Sequence, residues 1–108
     1  MIKDTLQKIE SIIANSTRLP KEKKDTLLEL FSQLKTELSG LPDSDKANSV
    51  AGFTQLSTQE ALRETPDPTL LDKALEGLDL AAQELKVSHP RLVSLLVLFA
   101  RTLSRLGI

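Results

Sequence analysis

Three side chains in this 108-residue sequence have the types and placing for site chemistry: Glu60, Arg63 and His89. A carboxylate, a guanidinium and an imidazole held together would bind a small polar molecule. Glu60 and Arg63 are three residues apart, so on a helix they turn to the same side. His89, the single histidine, stands before Pro90. The same residues also have plainer uses. Glu60 and Arg63 make an ordinary helix-surface pair, and His89 makes an ordinary corner residue. A metal centre needs several ligands, and the chain has no cysteine and no second histidine. No serine sits in a glycine-flanked elbow, and no nucleophile–base–orienter set is apparent. The sequence therefore points away from an enzyme, with no catalytic residue, metal or cofactor expected. Glu60, Arg63 and His89 remain a candidate polar site for a metabolite.

The charged residues narrow the choice of partners. Lys21, Lys23 and Lys24 are interleaved with Glu22 and Asp25 and read as a solvated first turn. Net charge is −1 and the only aromatics are three Phe, so the chain has neither the basic patch nor the stacking platform of a nucleic-acid binder. Charge is uneven: residues 42–87 carry four basic and nine acidic side chains, whereas residues 88–108 carry three Arg and no acid. Arg91, Arg101 and Arg105 share a strip expected to meet Asp72, Glu76 and Asp79, or a partner chain. A membrane surface is the weaker reading of that strip, because it needs an exposed apolar face beside the Arg residues. The N-terminal residues lack the apolar run of a signal peptide, and the longest apolar stretch, 92–100, falls short of the ~20 residues that span a bilayer. A cytoplasmic protein is expected.

These residues must be held by helices, since no segment alternates with period two. Ile2, Leu6, Ile9 and Ile13 form a one-stripe seam that Asn15-Ser16-Thr17 ends. Pro20 suits the first turn of a second helix. Leu27, Phe31, Leu34, Leu38 and Leu41 line that helix, and Gly40 and Pro42 close it. The two helices read as an antiparallel hairpin over residues 1–41, with narrow seams that suggest elongated, coiled-coil-like packing. Residues 43–64 have only a weak apolar face of mostly small residues. Asp43 or Ser44 caps this stretch, and Ser57-Thr58-Gln59-Glu60 has the form of a second capping box. One linking helix is the preferred reading. In Thr65-Pro66-Asp67-Pro68, Asp67 is the natural N-cap and Pro68 the first residue of the next helix. Gly77 inside that helix suggests close approach of another backbone, from the helix before or after it.

The last helix carries the strongest pattern. Leu92, Leu96, Phe99, Leu103 and Leu106 lie on one side, and Val93, Leu95, Val97 and Ala100 widen it to most of the circumference. A helix this apolar must be covered nearly all round. It is either the central post of a bundle or a subunit contact, and Leu92, Leu95, Phe99 and Leu103 are the candidate interface. Leu106-Gly107-Ile108 has the form of a C-terminal cap.

Two stretches carry a family likeness. One is Ser49-Val50-Ala51-Gly52-Phe53, running on to Ser57, Glu60, Ala61 and Arg63. The other spans Leu70-Leu71, Leu75, Gly77-Leu78, Ser88-His89-Pro90, Leu92-Val93 and the ending Leu103-Ser104 to Leu106-Gly107-Ile108. Together, over about residues 47–108, they resemble the DUF4404 family of small bacterial proteins. That resemblance implies an all-helical fold and carries no activity. The chain departs from the family pattern at Gln59, where His is common, at Leu85, where an aromatic is usual, and at Arg105, which replaces Asn. Any His–Glu chemistry in the family would be halved here.

The expected protein is thus a single all-α domain over 1–108, a bundle of four to five helices. Its parts are the hairpin at 1–41, the linking helix at 43–64 and a core helix pair at 67–108. The leading functional expectation is a non-enzymatic scaffold or protein–protein interaction module. It would be a homodimer with a further protein partner of unknown identity.

Overall fold

Capping chemistry sets the limits of the helices. In the computed structural model, which describes residues 2–106, these are α1 (Ile2–Ala14), α2 (Lys21–Ser39), α3 (Asp45–Ala61), α4 (Pro68–Gln83) and α5 (Pro90–Leu106). No strand forms among the described residues. The Ser44 hydroxyl accepts from the Ala47 amide at 3.2 Å, which starts α3. The Asp67 carboxylate accepts from the Thr69 and Leu70 amides at 2.9 and 3.3 Å, and Pro68 opens α4. Pro20 stands one position outside α2 rather than in its first turn; its backbone is extended, and its carbonyl accepts from Lys24. The Gly107 cap lies outside the described residues.

Residues 57–60 do not begin a helix. They lie inside α3, which runs unbroken to Ala61, and its buried Thr hydroxyls are satisfied within the helix. The Thr54 hydroxyl donates to the Val50 carbonyl at 2.7 Å, and that of Thr58 to the Thr54 carbonyl at 2.8 Å.

The helices alternate up and down and close a ring. In turn, α1, α2, α5, α4 and α3 each pack on the next, α3 returns to α1, and α3 and α5 also touch. The hairpin therefore docks through α1 on α3 and through α2 on α5. Lys35 of α2 meets Glu10 of α1 at 3.4 Å. The core is aliphatic except for Phe31 of α2 and Phe99 of α5, whose rings lie 5.9 Å apart and tilted. The molecule measures 35 × 25 × 22 Å, so the narrow seams of α1 and α2 build a globular bundle rather than an elongated coiled coil.

Two expectations are corrected by this packing. First, the candidate interface is largely inside the chain. Leu92, Phe99 and Leu103 are buried and Leu95 is half-buried, because α2, α3 and α4 together cover most of α5. Second, the residues that link the halves are central. α3 has small side chains on two sides and packs between α1 and α4.

Gly77 marks a close approach, but to a ring rather than a backbone. A Cβ there would lie 2.3 Å from the nearest ring atom of Phe53 on α3.

Candidate functional site

The loop from α1 to α2 and the last turns of α3 and α5 meet at one end of the bundle, and Arg18 ties them. Its guanidinium donates to the Ala61 carbonyl at 2.8 Å and to the Leu106 carbonyl. Both acceptors belong to helix C-termini, whose last carbonyls lack partners within the helix and carry partial negative charge. Sequence reasoning overlooked Arg18. Its signal was a lone cation in the loop Asn15-Ser16-Thr17-Arg18-Leu19.

Glu60 projects from the last turn of α3 beside this junction. It is 6% exposed, and Arg63 reaches back to its carboxylate, Nη2 to Oε2, at 3.1 Å. The other carboxylate oxygen, Oε1, is buried without a hydrogen-bond partner, as are the Ser57 and Ser16 hydroxyl oxygens. A buried ionised group with an unmatched oxygen is unfavourable unless something donates to it. Glu60, Arg63, Ser16, Asn15 and Ile12 line an open cleft of about 470 Å³.

His89 does not join this cluster. It sits at the α4–α5 corner, next to Arg91, which meets Glu37 at the last turns of α2 with 3.5 Å between them. The far end of α5 is the one bound by Arg18. Seventeen helical residues separate the two ends, roughly 25 Å. Among the described residues the His89 side chain has no hydrogen bond or ion pair, and only its backbone is engaged. The expected convergence of Glu60, Arg63 and His89 is therefore corrected to a Glu60–Arg63 pair. The physical reason is topological: an up-and-down bundle sends the start of α5 to the end opposite the end of α3.

The Arg strip also divides differently. Arg91 pairs with α2 rather than with the acids of α4, and Arg101 and Arg105 are exposed without an ion pair among the described residues. Most of the apolar side of α5 is covered, while Leu98, within the Arg strip, is 52% exposed.

Further apolar surface lies on α3 and α4. On α3, Lys46, Ser49, Phe53 and Leu56 step by three, four and three. On α4, Leu70, Gly77, Leu80 and Glu84 share the adjoining face. Phe53, Gly77 and Leu80 line a cleft of about 220 Å³ between the two helices, with Lys46 and Ser49 on one rim and Glu84 on the other. Leu80 is 67% exposed, Leu70 46% and Leu56 42%. Leu80 lines the cleft, and Leu56 and Leu70 lie beyond it on the same helix faces by spacing.

Among the described residues no group of three His, Asp or Glu side chains gathers as metal ligands would, and no helix is long and apolar enough to cross a membrane. No family model, no curated protein and no solved structure matches the chain.

Proposed function

We propose that this chain is a non-enzymatic, cytoplasmic interaction module that binds another protein surface along the α3–α4 face. The observation that supports it is the exposed Leu80 in the cleft at Phe53 and Gly77, with Leu56 and Leu70 exposed further along the same two helices. Binding would bury these side chains, and each fully buried Leu contributes roughly 1.5–3 kcal/mol. Partner recognition of this kind lays the apolar stripe of a helix into a groove between two others. Membership of the DUF4404 family is part of the proposal and rests on the Ser88-His89-Pro90 corner with Leu92-Val93.

A photoreactive residue in place of Ser49, used in cells, tests the reading. Adducts are expected from position 49 and not from Glu29, which is exposed on α2. Equal labelling at both positions, or none at 49, would count against the face.

A second reading has its own observation. The unmatched Glu60 Oε1, beside a cleft of about 470 Å³, suits a small ligand that brings an N–H donor. A thermal-shift screen of small amines tests this. Stabilisation that disappears in Glu60→Gln supports it, and no stabilisation by any amine rejects it.

A further inference from the structure

The charges around the α3–α4 cleft are arranged so that the face complements itself. Lys46 on α3 and Glu84 on α4 stand on opposite rims of one groove and both are exposed. Neither forms an ion pair within the chain among the described residues. Between and beyond them lie Phe53, Leu56, Gly77 and Leu80, and the exposed Lys73 stands one turn before Gly77 on the α4 row.

Consider a two-fold axis that runs along the groove, parallel to both helices. Rotation about it carries α3 of one copy over α4 of the other. Because α3 and α4 run in opposite directions, the stacked helices are antiparallel. The rotation preserves the level of each residue along the groove. Lys46 of one copy therefore faces Glu84 of the other, and symmetry makes the contact twice. Each copy's own Phe53 ring already fills the space over its Gly77, so the two half-exposed rings lie at one level of the groove. An axis perpendicular to the helices would instead carry both charges away from each other.

We infer that the occupant of this groove is a second copy of the chain, joined about a two-fold axis parallel to α3 and α4. The inference rests on the reading of this face as a binding surface and names its partner. It also moves the dimer contact from α5 to the α3–α4 face. Helix dimensions give a contact on the order of 500 Å² per copy, at the low end for a specific interface. The dimer is accordingly weak and dependent on concentration.

Sedimentation velocity of the full chain, from low to high micromolar, tests the inference. The unaltered protein is expected to pass from monomer to dimer, and Leu80→Glu to stay monomeric throughout. Lys46→Glu and Glu84→Lys each turn two attractions into two repulsions and weaken the dimer by roughly tenfold. The double variant, with the charges exchanged, returns the affinity to within about threefold of the original by the same pairing. All three charge variants lie on exposed positions and preserve the helical spectrum, so the result does not depend on Leu80→Glu folding. A monomer at every concentration overturns the inference. So does a dimer that tolerates Leu80→Glu, or an exchanged variant as weak as the singles. Photoadducts from position 49 separate the two levels of the argument. Adducts of twice the chain mass support the second copy. Adducts of another mass from a monomeric protein overturn the second copy and leave the binding face standing, and no adduct at all removes both.

Discussion

Gly52 and Gly77 stand in the middle of adjacent helices and answer to opposite forces. Glycine in a helix interior is roughly 1 kcal/mol less favourable than alanine. At Gly52 an added Cβ meets nothing within 4 Å. Gly52→Ala is therefore expected to stabilise the protein by about 0.5–1 kcal/mol, read as a higher urea midpoint. At Gly77 the same methyl drives into the Phe53 ring, which must swing away. Gly77→Ala is expected to destabilise by about 1–3 kcal/mol through overpacking, and trimming the ring in Phe53→Leu/Gly77→Ala recovers part of the loss. Glu60 and Arg63 make a second contrast. Arg63→Ala strands a buried carboxylate and is expected to lower stability by about 1 kcal/mol in urea denaturation. Glu60→Met removes the stranded group and is expected to be neutral or stabilising, with or without Arg63. A group retained at such a cost fits the second functional reading, because sites keep residues that folding alone would discard.

At the scale of elements, the junction of α3 and α5 depends on one side chain. Arg18→Ala leaves two helix-end carbonyls unmatched and is expected to destabilise by about 2 kcal/mol, a fall of roughly 10 °C in Tm by calorimetry. Arg18→Lys restores less than half, since one ammonium cannot match the two-pronged guanidinium. Helix limits were legible in the sequence because caps are local: Ser44, Asp67 and Pro68 act on the amides beside them. The role of α3 was not legible. Its Ala, Ser and Thr residues gave a weak apolar signal, yet smallness is what lets it pack between α1 and α4. The hydroxyls of Thr54 and Thr58 satisfy themselves within the helix, so burying them adds no unmet polar group. A capping-box spelling at Ser57 to Glu60 had no helix start to serve there.

For the molecule as a whole, the amount of apolar surface on α5 was readable and its destination was not. Counting leucines shows that the helix must be covered; only the ring of five helices shows that its own chain covers it. The same logic misplaced the polar site. Glu60 and Arg63 were correctly paired by helical spacing, whereas joining His89 to them required knowing which end of the bundle each corner occupies. What the ring leaves open is the α3–α4 face, with leucines at 56, 70 and 80 and opposite charges on its two rims. That face is the centre of the functional account. Leucine methyl NMR spectra recorded on dilution test it most directly. The methyls of Leu56, Leu70 and Leu80 are expected to shift with protein concentration while those of Leu92 and Leu103 hold still; shifts confined to the α5 leucines would contradict the face, and no shift anywhere would contradict its pairing with a second copy.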